Sequence, residues 1–262
     1  MLPFFSPDVP VLLIGAPGVG KTAQVRSQFD YAEVVLTSTC VEEDIAGLPY
    51  REGDYDYRTV PGLFRRLQEA SDAGKTTVLF LDELDKARRS VADTLLTLVA
   101  SRRVGGAELP QDTCIVAAAN PPEFGGGDGI SDAMLSRFSA IDYVPDVCQW
   151  ADWATDHFDG SQANRIIGAV RNGEIPIFDM TGEGLNRRIT TPRTLAMVLN
   201  AMDKHGAESD TFDALTRGLL TPGTASQVLH FAQNIGNEVM GRASSAARRG
   251  IAQKNQPSVL RL

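Results

Sequence analysis

Cysteine is scarce in this 262-residue chain: Cys40, Cys114 and Cys148 are the only three, and the histidines are equally few. An odd number of scattered thiols, with no Cys-x-x-Cys pair or Cys/His cluster, excludes a disulfide framework and a zinc site and points to reduced cysteines. No base is suggested beside any of them, which removes thiol catalysis. Long apolar runs are missing too, since none approaches the ~18 residues that cross a bilayer. Met1-Leu2-Pro3-Phe4-Phe5 lacks the basic flank and length of a secretory signal, so a cytoplasmic location without a membrane partner is expected. Basic excess is absent: 25 Lys and Arg stand against 33 Asp and Glu, a net charge of −8. That sign opposes a surface built on phosphate neutralisation and disfavours nucleic acid as the main partner, local contacts to DNA aside. There is no internal repeat, low-complexity tract or sustained heptad. What is present is 43% hydrophobic residues, enough for one large α/β domain and a smaller satellite.

Apolar runs of strand length recur at Val11–Ile14, Val34–Leu36, Val78–Leu81 and Ile115–Ala119, with helical patterns between them. Continuous rather than alternating runs indicate a parallel sheet covered on both faces. Val91, Leu95, Leu98 and Val99 mark a helix that ends near Arg102-Arg103, before a Gly105-Gly106 turn able to close a small hairpin. Beyond Asp146 helical periodicity takes over, at Leu195, Val198, Leu199 and Met202 and again at Val228, Phe231, Ala232, Ile235 and Val239. The expected organisation is an α/β domain over residues 1–146 and a small helical domain over 147–262. Ala243–Leu262 is expected to be a helix fraying into a mobile tail.

Gly15-Ala16-Pro17-Gly18-Val19-Gly20-Lys21-Thr22 follows directly on the first apolar run and has the form G-x-x-x-x-G-K-[ST]. Backbone N–H groups can wrap a polyphosphate only where the chain bends without a Cβ, a demand that Gly15, Gly18 and Gly20 meet. Lys21 is placed to face the terminal phosphates, and Thr22 to put a hydroxyl on Mg²⁺ at the start of a helix whose dipole favours anions. The pattern predicts a bound nucleoside triphosphate.

Val78-Leu79-Phe80-Leu81-Asp82-Glu83 delivers two carboxylates to the carboxyl edge of the sheet, beside that loop. Asp82 is expected to hold Mg²⁺ through water and Glu83 to polarise an attacking water, which predicts hydrolysis as well as binding. A further strand, Cys114–Ala119, ends in Asn120-Pro121-Pro122; by itself this is turn chemistry, but it also sets an amide where it can hold water or sense a γ-phosphate.

This order of motifs resembles the AAA+ ATPases, and within them the MoxR-like branch, from about Val11 to Leu199. The resemblance implies that Gly15 to Thr22 is Walker A, that Asp82 and Glu83 are the Walker B pair, and that Asn120 is sensor 1. Asp82 to Ala87 is similar to the MoxR-type "DEINRA" stretch, with Asp85 and Lys86 in place of Asn and Arg. Asp44 to Leu48 resembles the segment ahead of helix 2, and Arg103 to Pro110 the hairpin before sensor 1. Ser136-Arg137-Phe138 matches the S/D-R-F signature, whose Arg reaches a neighbouring subunit's nucleotide; the plain alternative is that Arg137 complements its own helix's negative end. Gly125 to Gly129, just upstream, is richer in glycine than that family's usual loop. Thr191-Pro192-Arg193 sets a cation at a helix N-terminus, where it opposes the dipole, and the resemblance identifies Arg193 as sensor 2, reaching the γ-phosphate from the lid.

The resemblance further implies a hexameric ring using ATP and Mg²⁺ to remodel or assemble a protein partner, often with a von Willebrand factor A domain adaptor. Two other classes stand beside it: a nucleic-acid motor touching DNA through Arg102, Arg103 and the following hairpin, and a slow nucleotide-operated switch or scaffold. Tyr50, Tyr55 and Tyr57, in the polar insertion Gly47 to Arg58, either grip a threaded polypeptide or pack the insertion onto its own domain. With no accessory domain legible at either end, specificity is expected from loops or from a separate adaptor.

Overall fold

The computed structural model describes residues 5–124 and 129–233. Gly125 to Asp128, the positions Ile235 and Val239, and the segment Ala243–Leu262 lie outside the described residues. In chain order the elements are β1 (Val11–Ile14), α1 (Lys21–Gln28), β2 (Tyr31–Leu36), α2 (Glu42–Ala46), β3 (Pro49–Glu52), β4 (Tyr55–Arg58), α3 (Gly62–Asp72), β5 (Thr77–Asp82) and α4 (Arg89–Ser101). There follow β6 (Arg103–Val104), β7 (Ala107–Glu108), β8 (Cys114–Ala119), α5 (Asp132–Leu135), β9 (Ser139–Asp142), α6 (Val147–His157) and α7 (Ser161–Arg171). The last are β10 (Asp179–Thr181), β11 (Arg188–Thr190), α8 (Pro192–His205), α9 (Asp210–Leu219) and α10 (Pro222–Gln233).

Two compact units result, one formed by the residues up to Trp150 with Thr191–Leu195, the other by Ala151–Thr190 with the described residues from Ala196 onward. The first is built on a five-stranded sheet in the order β2-β5-β8-β1-β9, with every neighbouring pair parallel. Side chains alternate across each strand, so the uninterrupted apolar runs fill two cores at once. Leu12, Leu79, Leu81, Ile115 and Ala117 face Leu67 of α3 and Leu95 and Leu98 of α4. Val11, Leu13, Val78, Phe80 and Val116 face Val25 of α1 and Phe29. The central strands β1, β5 and β8 are covered on both faces, so among them only the strand ends can reach solvent, and chemistry is confined there.

β2 begins three residues before the apolar run that marks it in the sequence, because Glu33 interrupts the hydrophobic signal without interrupting the strand. Its buried carboxylate accepts from Arg66 Nε at 3.0 Å and from the Tyr31 hydroxyl at 2.6 Å. Burial pushes this carboxyl up, but the hydrogen bonds from Arg66 and Tyr31 outweigh it and hold it below the ordinary range.

The insertion expected between Gly47 and Arg58 is the hairpin β3–β4, paired so that Tyr50 faces Tyr57 and Glu52 faces Tyr55. The Tyr50 and Tyr57 rings stack at 5.6 Å, and the three tyrosines are 45%, 46% and 70% exposed for Tyr50, Tyr57 and Tyr55. Tyr50 and Tyr57 pack on each other rather than into a core, and Tyr55 stands open to solvent. The Gly105-Gly106 turn closes the hairpin β6–β7.

The second unit is helical: α10 packs on α7 and α9, and Arg165 of α7 donates to the Phe231 carbonyl near the end of α10. It also holds a two-stranded hairpin, β10–β11, of which the helical periodicity gives no sign. That hairpin is tied down by polar groups: buried Thr190 and Thr221 meet, and Thr221 donates to Asp179 at 2.5 Å. No helix among the described residues is long and apolar enough to cross a membrane.

Cys114, at the start of β8, is buried, and burial pushes its thiol up to about 11, while Cys148 is exposed. The thiolate is the reactive form. At pH 8 an alkylating reagent should therefore label Cys148 in the native protein and Cys114 only after denaturant is added, as mass spectrometry would read. Rapid native labelling of Cys114 would mean that this end of the sheet opens.

Candidate nucleotide-binding site

β1, β5 and β8 are adjacent or next-adjacent in a parallel sheet, so their carboxyl ends lie at one edge and bring three distant segments together. Gly15 leaves β1 with its N–H donating to Ala119 O at 3.2 Å. A Cβ at Gly15 would sit 2.5 Å from the Tyr143 carbonyl oxygen. Gly18 and Gly20 have φ of 81° and 105°, the left-handed region that side chains avoid. Gly20 caps α1 with no side-chain hydrogen bond, which leaves the first N–H groups of the helix turned toward the loop's concavity.

Lys21 is 8% exposed and reaches back into this loop, donating to Gly15 O at 2.5 Å, Ala16 O at 3.1 Å and Asn120 Oδ1 at 3.1 Å. Its acceptors are neutral. Burial lowers the ammonium to about 8, against the opposing pull of Asp82 and Asp85. An anion entering the loop would relieve that cost, and a cradle that turns at Gly18 and Gly20, both in the left-handed region, fits a polyphosphate.

Thr22 donates to Asp82 Oδ2 at 2.8 Å, so the two groups expected at a metal already touch. Among the described residues no three His, Cys, Asp or Glu converge on a point. One hydroxyl and one carboxylate would suit Mg²⁺, which is commonly bound through one or two carboxylates together with waters and phosphate oxygens.

Glu83 follows with φ 56° and ψ 41°, one of two non-glycine residues at positive φ among those described. Such a backbone costs on the order of 1–3 kcal/mol and persists only where its neighbours over-determine it. Here they do. The Glu83 N–H donates to Asp82 Oδ1 at 3.0 Å, and Thr37 Oγ1 donates to the carbonyls of both Asp82 and Glu83, at 3.0 and 2.8 Å. Each side-chain oxygen is taken as well: Ser38 donates to Oε2 at 2.7 Å and Lys86 to Oε1 at 3.0 Å. The bond from Ser38, then that from Lys86, holds this carboxyl below the ordinary carboxylate range.

Of the residues singled out in the sequence, the loop from Gly15 to Thr22 and the groups Asp82, Glu83 and Asn120 come together. Arg193 differs from its expected setting in the helical domain, since Thr191–Leu195 belongs to the sheet-bearing unit. Its N–H donates to Gly18 O at 3.1 Å, and its exposed guanidinium adds a positive charge felt by Lys21 and Glu83. Arg137 stands apart: exposed, it donates to Ala133 O and, at 3.4 Å, to Ser136 Oγ of its own helical turn.

Sequence reasoning passed over Ser38 and Thr37, although Thr37-Ser38-Thr39 directly follows an apolar run whose carboxyl end had to lie beside Asp82. It also left Asp85 without a role. Asp85 is buried and accepts the Asn120 N–H at 3.2 Å, fixing the turn that carries the amide.

Because Tyr143 abuts Gly15 through backbone, Gly15→Ala should force β1 and β9 apart. The expected loss is about 1–3 kcal/mol of stability in urea unfolding, together with weakened nucleotide binding. A variant as stable and as tight-binding as the parent would show that the loop has slack there.

Residues 10–138 match the family model described as AAA domain (dynein-related subfamily). No functionally curated protein sequence matches the chain. Among solved structures, Thermotoga maritima RuvB, described as a Holliday junction branch migration motor, is 16% identical over 85% of this chain and 61% of that chain, with a TM-score of 0.44. A point mutant of the same RuvB is 15% identical with the same coverages and a TM-score of 0.45. A Cytophaga hutchinsonii protein is 15% identical over 85% of this chain and 76% of its own, with a TM-score of 0.37. The chain thus spans less than two thirds of the RuvB chains it matches. The family match covers the phosphate loop, the acidic strand end, Asn120 and Arg137, so residues 10–138 of this chain are similar to an AAA domain.

Proposed function

We propose that this chain is an ATP-hydrolysing motor of the MoxR-like type, a subunit of a homo-oligomeric, hexameric ring that remodels or assembles a protein partner in the cytoplasm. The observation that carries hydrolysis is the meeting, at one sheet edge, of Lys21 with Asn120 and of Thr22 with Asp82, with Glu83 one residue on. In this reading Gly15, Ala16, Pro17, Gly18, Val19, Gly20 and Lys21 hold the phosphates. Thr22 and Asp82 hold Mg²⁺, which when bound neutralises charge on the phosphate oxygens. Glu83 orients the attacking water once Ser38 and Lys86 let it go, and Asn120 holds Lys21 and the water in register. Arg193 and a neighbour's Arg137 meet the charge that develops on the transferred group.

Support for the trans role of Arg137 is its exposure and the lack of a carboxylate partner among the described residues. The exposed tyrosine face of β3–β4 supports a protein partner, gripped directly or delivered by an adaptor such as a von Willebrand factor A domain protein. Support for a nucleic-acid motor is weaker. Arg102 donates to four backbone carbonyls, those of Pro7, Pro110, Gln111 and Thr113, and Arg103 pairs with Glu108 at 2.7 Å. The double hold on Glu83 favours one second reading, a slow switch whose turnover waits for a signal.

The deciding experiment is ATP turnover across protein concentration, with mass measured in parallel and Glu83→Gln as the blank. Specific activity should rise steeply as the ring assembles; flat activity in a monomer would remove the shared site and favour the switch. Lys21→Ala should lose nucleotide binding, and Glu83→Gln should bind without hydrolysing. Arg137→Ala should assemble yet lose roughly 10³-fold or more in turnover, and wild-type turnover in that variant would refute the finger. Tyr→Ala changes at 50, 55 and 57 should spare hydrolysis and abolish remodelling; joint loss with unfolding would make them structural.

A further inference from the structure

In the sheet order, β1 has β8 on one side and β9 on the other. Asn120, Asp82 and Glu83, assigned above to the reacting end of the nucleotide, stand at or just beyond the ends of β8 and β5 and so lie on that side. A nucleotide is a linear molecule, so if its terminal phosphate points toward β8, its nucleoside must leave across the end of β9. The residue that follows β9 is Tyr143.

Tyr143 is fastened along the phosphate loop. Its N–H donates to Ile14 O at 2.6 Å, and its carbonyl oxygen and Cβ lie 2.5 and 3.4 Å from where a Gly15 Cβ would be. Its phenol oxygen lies 3.9 Å from where a Gly20 Cβ would be, beside the uncapped N-terminus of α1. The ring therefore spans the loop from its first glycine to its last. It is half-buried, packed against the core that holds Val11, Leu13 and Val25, yet no described residue accepts or donates a hydrogen bond at its hydroxyl. Asp146, a nearby acid, is engaged in accepting the Gln149 N–H at 2.9 Å.

We infer that the Tyr143 hydroxyl donates a hydrogen bond to the nucleoside-proximal phosphate of a bound nucleoside di- or triphosphate, a contact on the side of the loop away from hydrolysis. This rests on the nucleotide reading above. A donor there recognises that phosphate in ADP and ATP alike, so it sets affinity without discriminating the γ-phosphate.

Tyr143→Phe removes the oxygen and leaves the packed ring. By calorimetric titration of Mg-ADP and Mg-ATP, its affinity should fall about tenfold for both ligands, while the melting temperature without nucleotide stays at the parent value. Unchanged affinity for both, or a loss confined to ATP, overturns the inference. Lys21→Ala, titrated beside it, separates the two ideas. If Lys21→Ala binds like the parent, the nucleotide reading itself fails. If it loses binding while Tyr143→Phe does not, only the role of Tyr143 falls.

Discussion

The buried ammonium of Lys21 is the constraint around which the site is arranged. A cation removed from water and surrounded by neutral oxygens is costly, and the depressed pKa, about 8, registers that cost. Three acceptors are needed to hold it, and they come from two chain segments, Gly15 and Ala16 on one side and Asn120 on the other. The loop must then curl back over its own lysine, so glycines are required where it turns. β1 and β8 must also run parallel and in register, so that Ile14 and Ala119 end opposite one another. The cost falls when an anion arrives, so the loop favours a polyphosphate.

The same register logic extends outward. β5 pairs with β8 and with β2, so the carboxylates after Leu81 and the hydroxyls after Leu36 arrive at neighbouring positions. Thr37 then secures the strained backbone of Glu83 through two carbonyls, while Ser38 and Lys86 occupy its carboxylate. A residue held both by backbone and by side chain has one resting orientation. Whatever frees its carboxylate must offer Ser38 or Lys86 something better, which makes the end of β2 and the turn after β5 natural places for control.

The parallel sheet, the phosphate loop and the acidic strand end were legible because each is a contiguous pattern: an apolar run, a glycine spacing, two adjacent carboxylates. What stayed hidden is non-contiguous. Glu33 broke the apolar signal of β2 because its partner, Arg66, is on a helix the strand periodicity does not see. Asp85 and Ser38 act on residues 35 and 45 positions away, distances over which no local pattern runs. Arg193 is a boundary case, since the Thr-Pro-Arg cap was plain but its backbone tie to Gly18 was not. Hairpin β10–β11 is short and held by threonines and Asp179, so neither alternation nor hydrophobicity marked it.

Arginine placement sharpens the functional argument more than arginine number. Arg102 ends α4 at positive φ and spends its guanidinium on backbone carbonyls, and Arg66 and Arg103 each face a carboxylate. These are structural cations whose charge the fold has already used. Arg137 and Arg193 are exposed and meet no carboxylate among the described residues, and Arg193 does so at a helix N-terminus where its charge is unfavourable. In a chain of net charge −8, a cation set against its helix dipole, as Arg193 is, gains from an anion brought from elsewhere. For Arg193 the phosphate loop one hydrogen bond away supplies the place for it. Arg137 has no such place within its own helical turn, so in the proposed reading its anion belongs to a neighbouring subunit, and it is on assembly, more than on any single residue, that the proposal stakes turnover.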